Sequence, residues 1–133
     1  MNNELIIYGH AGACNHGNEA IIRGLHTLLP NKKIKVFSLD PESDWLWDLP
    51  SIVEVDELRQ KLPRYSPRNI IGHLLYRITK NDRYRWKFEF KNFIKQVKNK
   101  VCIFEMGDQF CEPDPYVIKM YSYLNREIHM GGG

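Results

Sequence analysis

Residues 9–19, GHAGACNHGNE, set His10, Cys14, Asn15, His16, Asn18 and Glu19 among three glycines, Gly9, Gly12 and Gly17. Imidazoles and a carboxylate can move protons, amides can hold hydroxyls, and a thiol beside a histidine can act as a nucleophile. The glycines permit positive φ and let a ligand approach bare backbone. This is not a Walker phosphate loop, because no Lys-Ser or Lys-Thr follows Gly17. Nor is it the dinucleotide fingerprint, whose glycines stand closer together, although Asp40 after the second expected strand keeps a nucleotide reading open. His10, Cys14 and His16 invite a metal, but structural zinc takes four ligands, and spacing does not fix Cys102 or Asp108 as the fourth. No metal site is assigned, and nothing in the pattern singles out Cys14 as a nucleophile. A purely structural turn is the alternative; the length of the loop and its polar side chains favour a ligand-facing role.

The flanking elements must position these groups. Leu5, Ile6, Ile7 and Tyr8 form an apolar run that predicts a buried strand over 4–8. Ile21, Leu25, Leu28 and Leu29 recur at helical spacing and predict a helix over 18–29. Asn15 or Asn18 can cap that helix, and Glu19 suits its positive end. Gly24 is expected to allow close packing against the sheet. In open α/β sheets such a loop lies at the carboxyl ends of strands, where ligands bind, and the free N–H groups of the helix start favour an anion or a polar oxygen.

The segment GHAGACNHGNEAIIRG resembles the N-terminal signature of the polysaccharide pyruvyl transferase family: a strand, then Gly-aromatic-x-Gly-x-x-Asn-x-Gly-Asp-Glu-Ala-Ile. Gly9, Gly12, Asn15, Gly17, Glu19, Ala20 and Ile21 match, while His10 replaces the aromatic and Asn18 the aspartate. VCIFEMGDQF, residues 101–110, is similar to a later family strand that ends in a Gly-Gly-Asp-like turn; Gly107 and Asp108 match, Glu105 and Met106 depart.

The resemblance implies an open, mostly parallel Rossmann-like sheet with helices on both faces, the N-terminal half of a glycosyltransferase-B-like fold. It implies transfer of a pyruvyl group from phosphoenolpyruvate, a donor substrate rather than a cofactor, to two hydroxyls of a sugar or lipid-linked glycan. The site would lie between two domains, with the donor's anionic groups against the other one. This chain would supply one wall. Gly9, His10, Gly12, Asn15, His16, Gly17, Asn18 and Gly107 would meet substrate, and Glu19 and Asp108 would serve as acid–base groups or hold sugar hydroxyls. Each has a plainer role open to it, Glu19 as the charge complement of a helix end and Asp108 as a turn former. Asn18 in place of aspartate removes a charge and with it acid–base duty there. Family members are longer, so the 133 residues are expected to form a single domain, an N-terminal fragment inactive by itself.

The rest of the chain alternates. Residues 33–39 and 52–55 predict strands, and Asp40 to Asp44 an acidic turn. Trp45, Leu46 and Trp47 would cover a core edge or stack on a sugar. Asp56 is expected to cap a brief helix through Lys61. Ser66-Pro67 starts a helix in which Ile70, Ile71, Leu74, Leu75 and Ile78 share one face. Residues 83–98 predict a further helix with Trp86, Phe90, Phe93, Ile94 and Val97 opposite a Lys-rich face. Residues 101–105 predict a buried strand. Asp114-Pro115 opens a last helix with Val117, Met120, Tyr121, Leu124 and Ile128 facing inward. Alternating β and α predicts a parallel sheet with the first strand central.

Charge is unevenly spread. Residues 59–100 hold 13 Lys or Arg against Asp82 and Glu89, net +11, within a chain of net +3. Such a field attracts polyanions. The helix at 83–98 is expected to dock on an anionic membrane surface carrying lipid-linked sugars, and no nucleic-acid module is matched. Three cysteines without a disulfide pattern, no signal peptide and no apolar run of about 20 residues predict a cytoplasmic protein, peripheral to the inner membrane face where that helix docks. An uncovered sheet edge would offer a route to homo-oligomers.

Overall fold

The computed structural model describes residues 4–10, 16–44, 53–105 and 114–131. The elements run β1 (Glu4–His10), α1 (His16–Leu28), β2 (Lys33–Ser38), α2 (Pro41–Asp44), β3 (Val53–Glu57), α3 (Pro67–Thr79), α4 (Arg83–Glu89), α5 (Lys91–Val97), β4 (Val101–Phe104) and α6 (Pro115–Gly131). The strands form one sheet of order β3-β2-β1-β4. All pairings are parallel, with Ile7 opposite Val36 and Ile103, and Val36 opposite Val55. The fold is an open, Rossmann-like α/β sheet with β1 inside it.

Strand periodicity sorts the core into two layers. Ile6, Tyr8 and Phe37 face α4, α5 and α6, and pack with Trp86, Phe90, Phe93, Val97, Met120, Tyr121 and Leu124. Ile7, Ile34 and Val36 face the other way, toward Ile22 and Leu25 of α1. Helices on both faces follow from chain direction. The step from β1 to β2 and the return from β3 to β4 move oppositely across the sheet, so right-handed crossovers land on opposite sides. The larger layer is aromatic. Phe93 lies 5.4 Å from Tyr8 and 4.8 Å from Phe37, and Phe104 lies 5.0 Å from Tyr121, ring centre to ring centre. The Tyr8 hydroxyl donates to Asn125 Oδ1 at 2.6 Å, tying the central strand to α6. Burial, with a smaller effect of Cys102, pushes its pKa up to about 12, so it remains a donor.

Several elements depart from the sequence reading. The inward face of α1 is Asn18, Ile22 and Leu25, one residue round from the expected stripe; Ile21 and Leu28 are exposed. Gly24 is exposed, and nothing lies within 4 Å of a Cβ built there, so it is not a close-packing site. Asp56 does not cap a helix: β3 runs through it to Glu57. The acidic segment after Asp40 holds the short helix α2 rather than only a turn. The helix expected over 83–98 is two helices meeting at Phe90, and its aromatic face is core. That aromatic face is therefore occupied by the packing against the sheet and α6. Conversely, the apolar face of α3 is exposed. β4 is an edge strand with Val101 exposed, not a fully buried one; among the described residues the sheet ends at β3 and β4. Also among the described residues, no helix is long and apolar enough to cross a membrane.

An ion-pair cluster fixes β2 to β3. The Lys35 ammonium lies 3.0 Å from Glu54 and 3.1 Å from Asp56, and Lys33 lies 2.6 Å from Glu54. Burial acts to raise the Asp56 pKa, but the Glu57 N–H, Lys35 and Gln96 outweigh it and hold the carboxyl below its usual range. Lys33 and Lys35 lower that of Glu54. Burial opposes the charge on Lys35, yet Glu54 and Asp56 raise its pKa. Depressed carboxyl groups contribute stability above their unfolded pKa values, lost as pH falls through the folded ones; the raised Lys35 loses its contribution only in strong alkali. Lys35→Met is therefore expected to lower the unfolding free energy by about 1 kcal/mol at neutral pH, with a gap from wild type that closes as acid protonates the lowered carboxyl groups of Glu54 and Asp56, read from urea titrations across the acid range.

Candidate functional site

The sheet order creates one special place. From β1 the chain passes through α1 to β2 and on to β3, whereas β4 lies on the other side of β1. The strand order thus reverses at β1, and ligands of open α/β sheets bind beyond the carboxyl ends of strands at such a point. The segments that follow β1 and β4 carry the glycine-rich and Gly-Asp motifs.

Gly9 builds the floor of this rim. It has φ +93, and a Cβ there would stand 2.1 Å from the Glu105 carbonyl oxygen and 2.8 Å from the Phe104 ring. Only glycine permits both the backbone angle and the approach. The pairing of β1 with β2 shifts register between Tyr8 and His10, so the strand bends at this residue. Next to it the Glu105 N–H donates to the Tyr8 carbonyl at 2.8 Å, extending the ladder one residue past β4. Gly9 is itself buried, and what it touches is the end of β4.

The first turn of α1 supplies the next groups. His16 and Gly17 are exposed, and Asn18 is buried at 6% exposure. Glu19 accepts from Arg23 Nε at 2.8 Å, and His16 Nδ1 lies 3.5 Å from its other oxygen. The Arg23 hydrogen bond, ahead of a smaller one from His16, holds the Glu19 carboxyl below its usual range. Glu19 thus stands ionised at the positive end of the helix, an acceptor rather than a proton donor near neutrality. His10 ends β1 opposite Ser38.

Gly12, Cys14, Asn15, Gly107, Asp108, Trp45, Leu46 and Trp47 lie outside the described residues, as does the His10 side chain. Of these residues the structure sets Gly9 against Glu105, while His16, Gly17, Asn18 and Glu19 form the first turn of α1. Glu105, 6% exposed at the end of β4, was passed over in the sequence reading because it departs from the Gly-Gly-Asp pattern. Its signal was a carboxylate directly after an apolar strand. Among the described residues no three His, Cys, Asp or Glu side chains converge as a metal site. Asp40 follows β2, its N–H donating to Ser38 Oγ at 3.1 Å. Beside the carboxyl ends of β2 and β3 opens a groove of about 560 Å³, lined by residues including Leu39, Glu57, Arg59, Lys61 and His73.

Set against protein-family models, curated proteins and solved structures, the chain matches none. The likeness to pyruvyl transferases accordingly stands on residues 9–21 and 101–110 alone.

Two glycines of this βα unit make opposite demands. Gly9→Ala is expected to cost at least about 3 kcal/mol, through strain and overlap with backbone that cannot yield. Gly24→Ala is expected to stabilise by about 0.5–1 kcal/mol, as alanine in an open helix position does. Chemical denaturation of the two variants checks both signs.

Proposed function

We propose that this domain forms the sugar-facing wall of a site that transfers a pyruvyl group from phosphoenolpyruvate to a saccharide. The observation that carries this reading is that β1 and β4, the strands leading into the two segments similar to the pyruvyl transferase motifs, are neighbours in the sheet, with Gly9 against Glu105. In the reaction, carbon 3 of the enol gains a proton. One sugar hydroxyl oxygen bonds to carbon 2, the bond from carbon 2 to the phosphate oxygen breaks, and a second hydroxyl closes the ketal. One hydroxyl proton balances the proton gained by carbon 3, and the other leaves with a base or with phosphate.

This wall would contribute acceptors. An ionised Glu19 and the Glu105 carboxylate suit sugar hydroxyls or the proton of an attacking one, and Asp108 joins them by resemblance. The N–H groups at the start of α1 suit a polar oxygen. Phosphate and carboxylate of the donor would be neutralised from the facing wall.

A second reading has its own support. The order β3-β2-β1-β4 is that of the first four strands of a dinucleotide-binding sheet. Asp40 at the end of β2 and the groove beside β3 then suit a ribose and base.

Amide shifts in a nitrogen-15 spectrum separate the two. A hexose with phosphoenolpyruvate is expected to move His10, Gly17, Asn18, Glu19 and Glu105. A uridine diphosphate response at Leu39, Asp40 and Arg59, with none to the sugar pair, would favour the nucleotide module. Silence at both places would overturn both readings.

A further inference from the structure

α3 is attached along one side. Gly72 is its buried residue, and a Cβ there would lie 3.3 Å from the Phe88 ring and 3.5 Å from the Arg85 backbone, so the helix rests closely on α4. The Arg85 guanidinium sits 5.5 Å from the Tyr76 ring on the same side. Away from α4, Ile70, Ile71, Leu74 and Ile78 fall within an arc of about 100° on a helix of 3.6 residues per turn. They are 52, 47, 56 and 71% exposed, and Tyr65 just ahead of the helix is 79% exposed. This is an aliphatic ridge of roughly 12 Å, given 1.5 Å per residue, with no protein packed on it among the described residues.

Its surroundings are of one sign. Between Glu57 and Asp82 the chain has no acidic residue, and Lys61, Arg64, Arg68, Arg77 and Lys80 fall in that interval. Among the described residues none of these five is ion-paired; Arg64 stacks 5.6 Å from the Tyr65 ring. By helical position Arg77 borders the ridge on one side and Arg68 on the other, while Arg64 and Lys80 stand at its ends. Two copies meeting through this face would bring like charges together. An anionic surface meets both demands at once, since acyl chains take the aliphatic arc and headgroups the cations.

We propose that α3 is an interfacial helix that lays the protein on an anionic lipid membrane. Ile70, Ile71, Leu74 and Ile78 enter the acyl boundary, and Arg64, Arg68, Arg77 and Lys80 meet lipid phosphates. The inference is independent of the chemistry at the rim.

Flotation of the full chain with vesicles tests it. Binding is expected with phosphatidylcholine–phosphatidylglycerol vesicles, not with phosphatidylcholine alone, and is expected to weaken as salt rises. Leu74→Ser combined with Ile78→Ser should lower partitioning at least about tenfold. Arg68→Gln combined with Arg77→Gln should lower it too. Both pairs alter exposed side chains, so the thermal midpoint should hold, and the second pair keeps the test if the first misfolds. Failure of the wild type to float, or equal flotation of wild type and both variants, overturns the proposal. A concentration-dependent dimer that Leu74→Ser with Ile78→Ser dissolves, without vesicle binding, would give the face to a second copy and also overturn it.

Discussion

At Gly9 the backbone turns to positive φ and comes to rest on the carbonyl of Glu105, an approach no side chain would permit. Much depends on that contact. It lets β1 and β4 stay paired to their carboxyl ends, with the Glu105 N–H completing the ladder on Tyr8. It also decides where the chain leaves the sheet on each side of the switch point. A Cβ at this position would push the strands apart just where the two motif segments begin. The residue is structural, and through that role it sets the geometry of whatever the rim binds.

The remainder of the molecule supports this edge from behind. Tyr8, one residue before Gly9, is gripped by Phe93, Phe104 and Asn125. Each aromatic side chain buried in that layer is worth roughly 1.5–3 kcal/mol, so the end of β1 is among the most firmly seated parts of the chain. On the other face, among the described residues, Ile22 and Leu25 of α1 close over Ile7, Ile34 and Val36. Among the described residues one layer is thus aromatic and the other aliphatic, with Gly9 at the end of the strand between them. α3 stands outside this arrangement, propped on α4 with its aliphatic residues turned outward.

The alternation of strands and helices was legible because each strand is a short β-branched or aromatic run and each long helix carries its own start signal. Ser66-Pro67 is an instance: the Ser66 hydroxyl accepts from the Asn69 N–H, and Lys80 closes the helix in the left-handed conformation. Periodicity tells which residues share a face, but not what the face meets. Ile70, Ile71, Leu74 and Ile78 do share a face, as their spacing says, but it is Gly72 on the opposite side that meets α4. In α1 the inward face includes Asn18, a polar residue that an apolar stripe does not count, so the buried face lies one position round from the predicted one. Phe90 breaks the helix at 83–98 with no proline or glycine to announce it. At the site, the Gly9 loop was found from its glycines, whereas Glu105 was missed because a motif was consulted in place of the burial a strand end implies.

Native-state hydrogen exchange at one amide tests the central claim, that the carboxyl ends of β1 and β4 are locked together at Gly9. The Glu105 N–H, bonded to the Tyr8 carbonyl, should exchange only through the global opening that releases Ile6 and Ile7, with the same free energy. Exchange of Glu105 as rapid as that of the exposed turn at Asn81, with Ile6 and Ile7 still protected, would contradict it.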